Sequence, residues 1–374
     1  FVDSLQIDPS SAPFWQPISQ PPEFAADLAK AIGSSYETVG WACLTMPFKD
    51  KEIDTPTFLE DVQFTFGVRK SLLEAALARS DWRILMSVES TPDRVQHMMY
   101  QYYDAQHPRY DAKTADTKVP FFGRETAYRD VIPAIYAQMD ALVGEVLEKH
   151  VQPGDTLIVC SDHGFQSFRR QFHLNNWLAQ EGYLVLKPGT TLADWDLLSF
   201  IDWSKTKAYS LGLGSVYLNL KGREAQGIVE PSEREALLAE LTQKFLAARD
   251  GDAKVVHSVV RSDRVHSGPH VDLEGDLLLG LEAGYRVSWK TTRGGIQLKS
   301  TPERDDAFAD VPYANNTNNW SGDHVSVADE LVAGVFLCNR KVDAPAGGFH
   351  LLDVAPTVLS LVGVPIPPEY DHAP

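Results

Sequence analysis

Residues 154–165 read GDTLIVCSDHGF, an apolar run that ends in an adjacent acid and imidazole, Asp162 and His163, followed by Gly164. The pattern predicts a buried strand giving way to a Gly loop, the place where α/β proteins bind their ligands. A carboxylate and an imidazole held there can grip one divalent cation from two directions. Without a cation to neutralise it, such a pair at a buried strand end is costly. The plainer alternative is a turn in which Asp162 caps the next segment and His163 is incidental.

Reading outward, residues 127–149, AYRDVIPAIYAQMDALVGEVLEK, keep helical spacing and lead through Pro153-Gly154 into this strand. Further upstream, residues 83–88, RILMSV, form a second buried-strand candidate, with Thr91 placed to cap a following helix and Pro92 suited to its first turn. The run 58–79, FLEDVQFTFGVRKSLLEAALAR, is also helical in spacing and follows the short apolar piece VGWACLTMPF. Strand, crossover helices, strand is the grammar of a parallel sheet, so the expected class is α/β. Downstream, HLNNWLAQEGYLVL reads as a helix then a strand, TKAYSLGLGSVYLNL as hairpin strands and 231–249 as an amphipathic helix. The end returns to α/β style with the strand LVAGVFLCN, a Gly-rich loop and the helix DVAPTVLSLVG. The expected organisation is an extended Pro- and Ser-rich arm over 1–22, a first part of the core over 23–187, a smaller α+β subdomain over 188–310 and a last part of the core over 311–374.

With 374 residues and 44% hydrophobic content, the chain has ample material for one large core. A formal net charge of -17 argues against broad binding to nucleic acid or anionic membrane, both of which draw on surplus Lys and Arg. An anionic substrate would need local cations. No stretch approaches the roughly 18 apolar residues of a membrane span. The three cysteines, Cys43, Cys160 and Cys338, have no CxxC spacing, and the last two lie in strand-like runs, so they read as core thiols. The opening residues carry neither a basic leader nor Met, and the expectation is that they mark a cut.

Two further segments suit the same cation chemistry. In Asp93-x-x-x-His97, within ESTPDRVQH, the side chains project from one helical face a single turn apart. This spacing is common, and an exposed helix start whose Asp favours the dipole is the competing explanation. The third segment, WSGDH at 320–324, gains interest for His324 only beside the other two pairs. Asn175, Asn176 and Trp177 follow closely enough to line a pocket and contact substrate, although an Asn-capped, Trp-anchored helix start explains them as well. Arg169 and Arg170 could meet a phosphate but, as neighbours on a loop, would ordinarily be solvated. His257, His266, His270 and His350 stand outside these motifs.

Taken in order, SDHGF, ESTPDRVQH and SGDH followed by a strand and DVAPTVLSLVG resemble the alkaline phosphatase superfamily, and in particular its type I phosphodiesterase and nucleotide pyrophosphatase branch, over about residues 30–370. The resemblance implies a three-layer α/β/α fold with a mostly parallel sheet. It also implies phosphate-ester hydrolysis at two divalent metal ions, Zn2+ with Mn2+ as the alternative, acting on a small phosphate-ester substrate. One ion would take Asp93, His97 and His324, and the other Asp162 and His163. The family adds an N-terminal Asp to the second site and a Thr or Ser nucleophile beside it, in a segment that precedes anything matching this chain. That missing piece is expected to come from upstream sequence or a second chain. Other activities of the superfamily remain open on this reading: a phosphoglycerate mutase type, a phosphonate hydrolase or a sulfatase. So does an inactive metal-binding fragment.

Overall fold

The computed structural model describes residues 7–11, 15, 17–34, 36, 44–190, 197–296, 312–325, 327–343, 347–368 and 370. It is a mixed α/β chain that divides into two units, one formed by Phe1–Tyr103, Asp111–His163 and Gly334–Pro374, the other by Asp104–Tyr110 and Gly164–Ala333.

The first unit is mainly helical. Helix Thr55–Leu77 starts where the Asp54 side chain accepts the Thr57 N–H at 3.0 Å, with a Pro in its first turn. Helix Thr91–Tyr103 buries Val95, Met98 and Met99 on one stripe. It is locked by Arg94, a fully buried guanidinium that donates to Thr45 Oγ1 and Thr65 Oγ1, both at 2.8 Å, and pairs with Asp61 at 2.6 Å. A buried Arg tolerates its position only when its charge and donors are satisfied, so this network fixes the rotation of the helix that carries Asp93 and His97. Helix Val131–Lys149 then leads to strand Ile158–Cys160, which pairs antiparallel with Phe336–Cys338 in the register Phe336↔Cys160.

The second unit holds a continuous hydrophobic cluster built on a four-stranded antiparallel sheet ordered Val256–Arg261, Leu277–Leu281, Ser215–Leu218, Ala208–Ser210. Helix Arg234–Ala247 packs Leu238, Leu241 and Phe245 into this cluster, and Trp177 of helix Leu174–Gln180 stacks on Phe245 at 4.3 Å between ring centroids. In a separate sheet, Arg170–Phe172 is flanked by Tyr285–Val287, parallel, and Tyr313–Asn315, antiparallel.

Several expectations change. The stretch 83–88 is not a strand and lies in no sheet among the described residues. The pairings found make small sheets of two to four strands, and only the Tyr285–Val287 pairing is parallel among the described strands. The expected strand at the end of HLNNWLAQEGYLVL contracts to a single bridge between Leu186 and Ile201. Cys160 is exposed and Cys338 half-buried, rather than core thiols, because Ile158–Cys160 has one neighbouring strand among the described residues and the Cys160 thiol is left open to solvent. Cys43 and much of the predicted N-terminal arm lie outside the described residues.

Candidate metal centre

In the first unit, the end of one apolar run and the first turns of one helix bring four candidate donor atoms close to one another in pairs. Asp93 Oδ1 lies 3.5 Å from His97 Nε2 and 3.9 Å from His163 Nε2, while His163 Nε2 lies 3.4 Å from Asp162 Oδ2. These separations exceed ordinary hydrogen-bond lengths. They approach the edge of about 3.3 Å that a tetrahedron of donors at Zn–N and Zn–O bond lengths requires. Imidazole nitrogens beside carboxylate oxygens are donor types suited to Zn2+, so these residues fit the ion that the motifs imply.

Each donor has a local reason for its place. His97 is buried on the helix that Arg94 pins, Asp93 sits one turn earlier and half-exposed, His163 is half-buried and Asp162 is exposed. A buried imidazole beside an acid is a stiff donor, whereas an exposed carboxylate is free to swing toward incoming charge. After His163 the backbone passes so close to its neighbour that a Cβ on Gly164 would stand 2.3 Å from the Ala333 carbonyl oxygen. Only glycine fits the turn that ends the motif.

In the second unit Gln166–Ser167, which directly follows the SDHGF motif, pairs with Gly322–Asp323 of SGDH, Gly322 opposite Ser167 and Asp323 opposite Gln166. His324 follows directly, half-buried, with the Phe165 ring 5.2 Å from its own, centroid to centroid. Asp323 is the residue that sequence reasoning passed over. Its carboxylate accepts the N–H groups of His324 at 2.9 Å and Val325 at 3.0 Å, and the Trp320 indole N–H at 2.7 Å. It also faces Arg286 Nε at 2.6 Å. The only sequence signal was an acid next to a candidate His.

Asn175 and Asn176 are both buried on helix Leu174–Gln180. The Asn175 amide donates to the carbonyls of Ser210 and Gly295 and accepts the Ser210 N–H at 2.8 Å, so it clamps three backbone groups. Arg169 and Arg170, expected to be solvated, are instead half-buried and paired with Asp104 at 2.5 Å and Asp250 at 2.6 Å. Two histidines in this unit are held neutral by burial. His107, whose Nε2 lies 3.0 Å from the Phe168 carbonyl oxygen, and His173 are both pushed down to about 4.

The family model for type I phosphodiesterase / nucleotide pyrophosphatase matches residues 6–305. That span covers most of the chain and contains Asp93, His97, Asp162 and His163, while His324 lies beyond it. The chain belongs to this family, whose chemistry is the hydrolysis of phosphate esters. No curated protein matches it. Among the described residues, no helix is long and apolar enough to cross a membrane.

Proposed function

We propose that this member of the type I phosphodiesterase and nucleotide pyrophosphatase family is a metal-dependent hydrolase of small phosphate esters that uses two divalent ions, most simply Zn2+. The observation that carries the reading is the approach of Asp93 Oδ1 to His97 Nε2 at 3.5 Å and to His163 Nε2 at 3.9 Å, from two segments far apart in sequence. Asp93 and His97, with His324 as third ligand, hold one ion. Asp162 and His163 hold the other. When bound, two such ions clamp phosphate oxygens, lower the pKa of a nucleophile and stabilise the leaving oxygen.

The chain's own residues supply placement. The Arg94 network keeps the Asp93 and His97 helix from rotating, and Gly164 holds the tight turn after His163. The acidic surface, with its net charge of -17, gives an anionic ester no general attraction, so recognition of the phosphate falls to the bound cations. The Thr or Ser nucleophile and the remaining carboxylate of the second site come from outside these residues, on a strand that pairs beside 83–88 and extends the sheet toward the three-layer α/β/α arrangement with mostly parallel strands. That 83–88 is apolar, exposed at Ile84, Met86 and Val88, and in no sheet among the described residues supports that placement.

The test is metal content by elemental analysis, with hydrolysis of aryl phosphate mono- and diesters, on the native chain and on His97→Ala, in protein that includes any native sequence preceding Phe1. The expected result is about two Zn2+ per chain with turnover in the native protein. His97→Ala should lose both one ion and the activity. Unchanged metal content and rate in the variant would overturn the reading.

A further inference from the structure

Behind His324 the second unit buries a salt bridge with unusual surroundings. Asp323 and Arg286 are 3% and 2% exposed in their side chains, and they meet at 2.6 Å. The Arg286 guanidinium lies 4.0 Å from the Trp289 ring centroid and 5.4 Å from that of Phe168, and its Nη1 donates to the Val287 carbonyl at 2.9 Å. Three donors, two backbone N–H groups and an indole, reach Asp323, and the Arg286 guanidinium stands against it as an ion pair, so the carboxylate is surrounded on most of its roughly four lone-pair sites. The two backbone N–H groups flank the His324 Cα, so this carboxylate fixes the backbone on both sides of one candidate ligand.

Stability alone gives little reason for such a pair. A buried ion pair loses much of its Coulomb gain to desolvation, and apolar residues of equal volume serve as well or better. Its best-attested use is to specify one local arrangement. Here the arrangement specified is the backbone at His324, whose ring also packs against Phe165.

We propose that Asp323 and Arg286 are positioning residues for His324: the Arg286 guanidinium, sandwiched against Trp289, holds the Asp323 carboxylate, which pins the His324 and Val325 N–H groups and so sets the direction of the imidazole. The inference rests on the reading of His324 as a metal ligand. Groups that orient a metal-binding imidazole from behind typically change metal affinity by about 10–100-fold when removed.

The experiment is a chelator-competition titration of the full chain with Zn2+ alone, paired with far- and near-UV circular dichroism. The variants are His324→Ala, the double variant Asp323→Asn with Arg286→Met, which removes both buried charges together, and Arg286→Lys, which keeps the charge but not the planar fork. The double variant is expected to keep the native Zn2+ stoichiometry and far-UV spectrum while binding one ion about 10–100-fold more weakly, with Arg286→Lys intermediate. His324→Ala should lose that ion. If His324→Ala binds Zn2+ as the native chain does, the ligand reading of His324 falls and the inference with it. If His324→Ala loses the ion but the double variant binds with native affinity, only the positioning role is overturned. Should the double variant fail to fold, native affinity in Arg286→Lys overturns that role and weakened affinity supports it.

Discussion

Strand Ser215–Leu218 in the second unit and the stretch 83–88 in the first are both short apolar runs with opposite fates. The former has a hydrogen-bonded neighbour on each edge, Ala208–Ser210 and Leu277–Leu281, and its Val216 and Leu218 are fully buried. The latter has none among the described residues, and Ile84, Met86 and Val88 are 47%, 84% and 64% exposed. A strand is stable only as part of a ladder, because its backbone donors and acceptors point sideways and find no partners within their own segment. The lesson is that the second unit builds a four-stranded sheet and a core around it, whereas the described strands of the first pair only two by two and 83–88 lies outside them.

Four experiments would break or sharpen this contrast. The largest effect belongs to the closed core. Phe245→Ala removes a fully buried ring stacked on Trp177 and is expected to cost about 3–5 kcal/mol in chemical denaturation. A loss under about 1 kcal/mol would mean that the second unit is no better packed than an exposed surface.

Acid should act next. His107 and His173, both in the second unit, have folded-state values lowered to about 4 from an ordinary 6.5. Below pH 6.5 the unfolded chain takes up protons that the folded chain refuses until about pH 4, so stability is complete above that window and falls as pH drops through it. Each group can contribute up to about 3 kcal/mol of this loss. Hydrogen exchange followed from pH 7 to pH 4 should show amides of the second unit losing protection, and His173→Phe should flatten the slope. A profile unaffected by that substitution would remove His173 from the account.

Smaller effects mark the open edge. Met86→Lys is expected to change the unfolding free energy by no more than about 0.5 kcal/mol, as an exposed substitution does. It should nevertheless reduce self-association in sedimentation velocity, since charge on an exposed apolar segment opposes edge-to-edge pairing with another copy. An unfolding cost above about 2 kcal/mol would show that the side chain is covered in solution. Smallest in energy is a reactivity difference: the exposed Cys160 thiol should be alkylated faster than half-buried Cys338 under native conditions. Equal rates would mean that the face around Ile158–Cys160 is not open.

The candidate site was legible in proportion to how local its geometry is. Asp93 and His97 share a face because four residues make one helical turn, and Asp162 and His163 are neighbours in the chain. The helices Thr55–Leu77 and Val131–Lys149 were likewise readable, from their apolar spacing, and the first also from Asp54 and Pro56 at its start. The approach of His163 to Asp93, at 3.9 Å, was not written in either segment. The order of three motifs pointed to it, and the family match over residues 6–305 spans two of them.

What lay beyond reading depended on partners distant in sequence. Asp323 looked like one half of a His pair and is instead bound to Arg286, a residue with no motif around it. Asn175 looked like a pocket residue or a cap and turns its amide to Ser210 and Gly295. Arg169 and Arg170 looked solvated until Asp104 and Asp250 met them. An apolar run such as 83–88 or 154–160 announces that it can be a strand, but alternation cannot say whether a neighbour stands on each side. The sequence by itself determined the helices and the candidate donor types, because hydrogen bonds of period four and side-chain chemistry are properties of a local segment. Only the tertiary structure decided which strands pair, which thiol is exposed and which carboxylate stands behind His324, because those depend on what the rest of the chain brings alongside.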